Sequence, residues 1–559
     1  MTINYKNTVF PNDVVLCQLM EMAFASKRDA IVDVPRGITA SYAQLLTDVL
    51  KTRERIWAEA PRSMFDDKGI ITLDSPFIFI LSSASYLVPV AAFAVLSVGA
   101  AICPMSPNTK EAEALRSLQK ANSSIVVADS MHMKHALGIQ EYAASQGRNI
   151  TIIPISCQSP SPPTVSDLNI LIDPDWQLDP DRPGVLMMTS GTTGPSKGVI
   201  HARKLFALAH PKLTSEDVYL CHRSAAWMGG LLPLVTGLCR GTQLEIVERD
   251  PCQIWERLRH GRLTVLRSAP VVWLNLMEYY QEVICKLAPE VIEEYTRGVR
   301  NLRSASTGSG YLLPHVRRFW MDEMGLPMLM VYAGTEMGGP VTVRKSLIYP
   351  DDEQRRIGEA IKNVTVKLSQ GNQGEILVKS PSMFLRYLDN PEATKAAFDE
   401  NGFYKTGDLA RWENDEYILM GRTSEFVRYN GHKVPMHDVE AYIWKLPYIS
   451  EVCALAVPVS NSAFTSERVG VLVRLKALDG QVHGHCCEHK FTLEKLREDL
   501  STELPFPMLP TAMHVLQEGE EIPKTISDKV IRKEAVRKFF PGAECSPQAK
   551  IWDAEVCLS

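Results

Sequence analysis

The stretch LMMTSGTTGPSKGVIHARK, Leu186 to Lys204, leads from apolar sequence into three glycines, five hydroxyl side chains and Lys197. Gly191, Gly194 and Gly198 open backbone angles closed to other residues, so the loop can turn its N–H groups toward an anion. Ser190, Thr192, Thr193 and Ser196 add hydroxyl donors, and Lys197 adds positive charge. The pattern is not a Walker P-loop, in which Gly-Lys is followed by Ser or Thr. Lys197 follows Ser196 and precedes Gly198, so the hydroxyl that would hold magnesium in that motif is missing. A phosphate cradle and a polar surface turn both fit this composition, and the choice between them falls to the rest of the chain.

At 559 residues the chain exceeds one ordinary domain. Its 45% hydrophobic and 22% charged residues are those of a globular protein, and a net charge of -5 argues against a nucleic-acid partner. Twelve cysteines without a C-x-x-C pair fit free thiols in a reducing compartment. Ser75 to Thr109 carries no charge and is long enough to cross a membrane. Pro89, Gly99 and Pro104 divide it, however, into a strand-like FIFIL, a helix-length ASYLVPVAAFAVLSVGA and a second strand, AICPM. That is the pattern of a buried βαβ unit, not of a membrane span. The first residues lack the basic-then-apolar order of a signal peptide. The ending EVCLS is not a Ser-Lys-Leu signal, so a cytoplasmic location is expected. The run HGHCCEH, His483 to His489, matches no zinc spacing and reads as a surface loop.

Strand-like and helix-like segments alternate through the chain. SIVVADS, ITIIPIS, GVLMMTS, LTVLRSAP and LPMLMVYAGTE read as strands that run into loops, the places where a layered α/β protein puts its functional residues. After Gly421 the texture changes to a helix candidate, PMHDVEAYIWKL, two strands, a further helix and a basic tail, enough for a small α+β domain.

Three further stretches carry chemistry. MVYAGTEMGGP (Met330–Pro340) sets an aromatic ring, a hydroxyl and a carboxylate within five residues. GFYKTGDLARW (Gly402–Trp412) has an aspartate after a Thr-Gly turn, and IPKTISDKVIRKE (Ile522–Glu534) puts lysines near the chain end. With the glycine loop these motifs, in this order over nearly the whole chain, resemble the adenylate-forming superfamily of acyl-CoA synthetases, aryl-CoA ligases, adenylation domains and luciferases. The resemblance implies an α/β fold with a large layered N-terminal domain of mixed sheets and helices (1–421) and a small mobile α+β C-terminal domain (422–559). It implies ATP, Mg²⁺ and coenzyme A as cofactors and a small-molecule carboxylic acid as partner. The acid attacks the α-phosphate of ATP to give an acyl-adenylate and pyrophosphate, and a thiol then displaces AMP.

By the same resemblance, Thr189, Ser190, Gly191, Thr192, Thr193, Gly194 and Lys197 hold the β- and γ-phosphates. Thr335 lies near the α-phosphate, Glu336 binds Mg²⁺, Tyr332 packs on adenine, and Asp408 and Arg422 meet the ribose. Gly308 and Ser309, in STGSGYLL, lie beside adenine. Gly431 and Lys433 join the cofactor-binding set, and Trp227, Gly230, Gly310 and Gly334 shape the acyl pocket. Lys529 is the adenylation lysine. Two positions depart from the family. Ser424 occupies the hinge where Asp or Lys is usual, and Asp528 replaces glycine before Lys529. An acid–CoA ligase is the leading reading. A stand-alone enzyme loading a carrier-protein thiol and a non-catalytic binding protein of the same fold are the alternatives. The pocket stretches are mostly small or apolar and favour an apolar acid, while Arg223 and Arg267 leave a dicarboxylic acid open.

Overall fold

The charge-free run folds along its punctuation. Phe77–Leu81 and Ala101–Met105 are parallel neighbours, joined by the helix Leu87–Ser97, every residue of which is buried. The helix is apolar on all sides because it is sandwiched in protein. Among the described residues no helix is long and apolar enough to cross a membrane. The computed structural model describes residues 8–74, 76–156, 164–189, 197–208, 213–310, 312–344, 355–422, 425–429, 432–458, 467–476, 491–525, 530–541 and 550–552. The His/Cys run at 483–489 lies outside them.

Two large sheets dominate. The 7-stranded sheet runs in the order Arg386–Tyr387, Lys197–Ala202, Pro183–Thr189, Ala101–Met105, Phe77–Leu81, Ile125–Asp129 and Thr151–Ile155. The second sheet has 13 strands. Its parallel half contains Ile31–Asp33, Gln243–Ile246, Val218–Cys221, Val265–Ser268, Ser304–Gly308 and Met328–Gly334. From Gly339–Arg344 onward its strands are antiparallel, ending at Thr365–Gln370. A 4-stranded mixed sheet follows, of Ile449–Pro458, Glu467–Leu475, Ala512–Val515 and Lys550–Ile551. It packs against the helices Met436–Ile443, Leu493–Leu500 and Arg532–Phe539, which makes the C-terminal part α+β.

Two buried devices fix the parts that carry the site. Arg203, fully buried at the end of the opening stretch, donates to Asp13 at 2.7 Å and to the carbonyls of Leu96 and Ala100. Asp13 also caps the helix Val14–Ala25. One ion pair therefore ties the hairpin to two helices, and removing either partner would strand a buried charge. The second device is a tryptophan stack. The Trp273 and Trp320 rings meet edge to face at 5.0 Å. Trp320 Nε1 donates to the Trp273 carbonyl, and Trp273 Nε1 donates to the Ser306 carbonyl at 3.3 Å. Satisfying each indole N–H inside an apolar cluster anchors Ser304–Gly308, the strand that leads to Gly308 and Ser309.

Candidate active site

The glycine loop closes an antiparallel hairpin. Thr189 stands opposite Lys197, and Thr189 Oγ1 donates to the Lys197 carbonyl at 3.1 Å. Both ends of the loop are thereby pinned. Ser190, Gly191, Thr192, Thr193 and Gly194 lie outside the described residues, as do Ser424, Gly431, Asp528 and Lys529.

The Thr335–Glu336 turn sits against this hairpin. His201 Nε2 lies 2.7 Å from the Thr335 carbonyl. A carbonyl only accepts, so Nε2 carries the proton. The Phe384 N–H donates to the Glu336 carbonyl at 2.8 Å. Tyr387 Oη donates to Glu336 Oε1 at 3.0 Å, and burial, followed by the charge of Glu336, pushes the phenol up so that it remains a donor. The Lys197 ammonium lies 5.0 Å from the Tyr387 ring centroid. The other Glu336 oxygen has no partner among the described residues. A single carboxylate with an open oxygen suits Mg²⁺, which keeps several waters and takes its remaining ligands from substrate phosphates. No cluster of three or more His, Cys, Asp or Glu able to hold a metal occurs among the described residues.

Tyr332, Asp408 and Arg422 form one hydrogen-bonded group. Tyr332 Oη donates to Asp408 Oδ2 at 2.5 Å, and Arg422 Nε lies 2.9 Å from Asp408 Oδ1. Register explains the second contact: Asp408 and Arg422 are directly opposite on antiparallel strands. Burial, then the Asp408 charge, drives the Tyr332 phenol well above its ordinary value. Burial opposes the charge on Arg422, but Asp408 and Glu425 more than offset it.

Beside these groups lies a cavity of about 1490 Å³, whose walls include Thr189, Trp227, Gly308, Ser309, Gly310, Gly334 and Thr335. A Cβ on Gly308 would come within 2.7 Å of the Val331 carbonyl oxygen, so glycine is required for the close approach of the two strands. Trp227 is half-buried at the start of the helix Met228–Thr236 and faces the cavity as a wall, not as core. Two of the expected residues lie off the cavity wall, as Tyr332, Glu336, Asp408 and Arg422 also do. Gly229, not Gly230, faces the cavity. Gly230 is buried behind it, where a Cβ would fall 2.0 Å from the Ser224 carbonyl oxygen. Lys433 stands exposed on the hairpin of Phe426–Tyr429 and His432–Pro435 and does not line the cavity. The C-terminal part contributes instead His437, Glu440, Trp444 and Lys524, the last paired with Glu451 at 2.8 Å.

Sequence reading did not single out His201, Tyr387, Gly229 or Arg249. His201 lay within the opening stretch, and its signal was proximity to the loop. Tyr387 reaches Glu336 only because its strand pairs with Val199, two residues beyond Lys197.

Three buried histidines have a consequence for stability. Burial first, together with nearby arginines at His222 and His437, lowers His201 to about 4 and His222 and His437 to about 3. The unfolded chain protonates these rings near pH 6.5, so below that pH it binds more protons than the native state. Stability is therefore full above about pH 6.5 and falls with acid, each ring adding a slope of up to about 1.4 kcal/mol per pH unit. Urea midpoints should drop between pH 7 and 5, and His437→Gln should flatten the drop. An equal slope in the variant would contradict this.

Residues 26–388 match the family of AMP-binding enzymes. The chain belongs to that family. Within it, acyl-CoA ligase oryP of Aspergillus oryzae is 34% identical over 542 residues, covering 95% of this chain and 93% of its own. A mitochondrial malonate–CoA ligase of Bos taurus is 26% identical, covering 82% of this chain and 81% of its own. The o-succinylbenzoate CoA synthetase MenE of Bacillus subtilis, in complex with its acyl-adenylate intermediate, has a TM-score of 0.74 at 17% identity, over 96% of this chain and 99% of its own. ATP-bound MatB from Rhodopseudomonas palustris has a TM-score of 0.72 at 21% identity, over 93% and 98%. These two likenesses establish the fold. As an AMP-binding enzyme related to acyl-CoA ligases along nearly its whole length, the chain is an acid–CoA ligase that uses ATP. It activates a carboxylic acid as an acyl-adenylate and passes the acyl group to coenzyme A.

Proposed function

We propose that both half-reactions of this AMP-binding enzyme run at the cavity edge between the glycine hairpin, the Thr335–Glu336 turn and the Tyr332–Asp408–Arg422 group. The joining of that group by Asp408 is the observation that carries the reading. It pairs an aromatic face for adenine with a carboxylate for ribose hydroxyls, and it does so beside donors suited to phosphate. In the first step a carboxylate oxygen of the acid bonds to the α-phosphorus and pyrophosphate leaves. Both reactants are anions, so the step needs fixed positive charge and oriented donors. Thr189, the loop 190–196 and Lys197 take the β- and γ-phosphates. Thr335, held by His201, donates near the α-phosphate, and Lys529 supplies charge there. In the second step the coenzyme A sulfur bonds to the acyl carbon and AMP leaves.

Mg²⁺, when bound, would neutralise phosphate charge, and Glu336 would hold it. Glu336→Gln keeps size but removes the anion, so half-maximal activity should require several-fold more magnesium. Superimposable magnesium titrations would remove Glu336 from that role. We place the domain boundary at residues 421/422. Gly421 has φ +131° and leaves room for His437, whose Cε1 would lie 2.3 Å from a Cβ there. Ser424 is then the pivot, and Lys433 belongs to the thioester-forming arrangement. The cytoplasmic location is carried forward from the sequence, and cell fractionation tests it.

The test of the whole reading is pyrophosphate release from ATP across a panel of acids, with and without coenzyme A. Acid-dependent release followed by thioester formation is expected. Release that turns over only with a carrier-protein thiol would select the carrier-loading alternative, and no release with any acid would overturn the reading.

A further inference from the structure

Glu336 is gripped at two points by one short segment. The Phe384 N–H donates to its carbonyl at 2.8 Å, and the Tyr387 hydroxyl donates to its side chain at 3.0 Å. Tyr387 is itself firmly placed. It stands opposite Val199 on the two-residue strand Arg386–Tyr387. Its N–H donates at 2.9 Å to Thr394 Oγ1, in the helix Pro391–Ala396. Its ring packs on Phe384, with centroids 4.8 Å apart.

The direction of the Tyr387 hydroxyl is fixed as well. Tyr404, also buried, donates its own hydroxyl to the Tyr387 oxygen. A carboxylate only accepts, so the Tyr387 proton lies on the bond to Glu336 Oε1. Donation therefore runs one way, from Tyr404 to Tyr387 to Glu336, and ends on a single carboxylate oxygen. The other oxygen, with no partner among the described residues, is the one left for a metal.

A carboxylate with one oxygen taken can offer a cation one ligand, not two. Mg²⁺ suits that arrangement, because it demands a near-ideal octahedron and fills most of it with water and phosphate oxygens. Ca²⁺ takes six to eight oxygens and often holds a carboxylate by both. To bind Ca²⁺ in that way Glu336 would have to surrender its bond from Tyr387, a hydrogen bond to a charged group and so among the stronger kind.

We infer that Tyr387 is a positioning residue that sets the choice of metal: by occupying Oε1 it confines Glu336 to one-oxygen ligation, and so favours Mg²⁺ over Ca²⁺ as the companion of ATP. This rests on the reading of Glu336 as the magnesium carboxylate and goes beyond it by naming what selects the ion. Tyr404 acts one step further back, by orienting the Tyr387 proton.

The experiment measures ATP binding by calorimetry without any acid, so that no turnover occurs. The Kd for ATP is taken in excess Mg²⁺, in excess Ca²⁺ and in EDTA. The wild-type protein should bind ATP more tightly with Mg²⁺ than with Ca²⁺. In Tyr387→Phe the ratio of the two affinities should fall by about tenfold, the low end of the range for one hydrogen bond to a charged group. The change should come mainly from tighter binding with Ca²⁺, and the Kd in EDTA should stay as it was. Tyr404→Phe should move the ratio the same way by less, and it gives a second reading should Tyr387→Phe fail to fold. No preference in the wild-type protein, or an unchanged ratio in both variants, would overturn the proposal while leaving Glu336 as the metal's carboxylate. So would equal weakening with both ions and in EDTA, which would make Tyr387 a support for the turn alone. Glu336→Gln separates the two readings. It should weaken ATP binding in both metals and not in EDTA. Unchanged affinities with both ions would overturn the role of Glu336 itself, and the proposal with it.

Discussion

Lys529→Ala should slow acid-dependent pyrophosphate release by about 10²–10³-fold, the usual cost of deleting one preorganised charge contact at a developing anion. Thioester formation from preformed acyl-adenylate should be affected far less, because that step brings no second anion to the phosphate. The neighbourhood supports this split. Lys524, in the same PKTISDK segment, lines the cavity and is occupied by Glu451, so it cannot readily substitute. Asp528 beside Lys529 does not alter the expectation. If the two side chains meet in solvent, the pair is worth about 0–1 kcal/mol, well below the electrostatic contact at issue. The two half-reactions, assayed separately on one preparation, check the prediction. Equal slowing of both, or of neither, would contradict it.

Asp408→Ala should raise the KM for ATP by about 10- to 100-fold, since a charged acceptor loses hydrogen bonds worth about 1.5–3 kcal/mol. The same change leaves Tyr332 Oη without its carboxylate acceptor and removes the nearer of the two carboxylates that act on Arg422, so part of the loss would arise from disorder around Tyr332. A second readout separates the two effects. If Asp408 accepts from ribose, the wild-type protein should discriminate ATP from 2′-deoxy-ATP, and Asp408→Ala should lose most of that discrimination. A variant that weakens both nucleotides while keeping their ratio would make Asp408 a support for Tyr332 and Arg422 only.

What could be read from the sequence was what depends on local pattern. The stretch GVLMMTS reads as a strand leading to the glycine run, and Pro183–Thr189 is that strand, paired antiparallel with Lys197–Ala202. The charge-free segment divided at Pro89, Gly99 and Pro104 into the βαβ unit expected. Thr335, Trp227, Gly310 and Gly334 line one cavity. What escaped was whatever depends on packing across sequence distance. Tyr387 is brought to Glu336 by a two-residue strand pairing that no local periodicity announces. Gly229 and Gly230 cannot be told apart in a run of small residues until the helix fixes which one turns to the Ser224 carbonyl. Arg249 lies outside every motif and joins Arg223 and Arg267 only through the order of parallel strands.

The most direct measurement follows an oxygen atom. An acid labelled with ¹⁸O in its carboxylate is turned over with ATP and coenzyme A by the purified protein, and the products are weighed by mass spectrometry. If the carboxylate attacks the α-phosphorus and the thiol then attacks the acyl carbon, one labelled oxygen must leave in AMP, with none in pyrophosphate. Label in inorganic phosphate, with ADP as the nucleotide product, or AMP free of label, would contradict an acyl-adenylate intermediate.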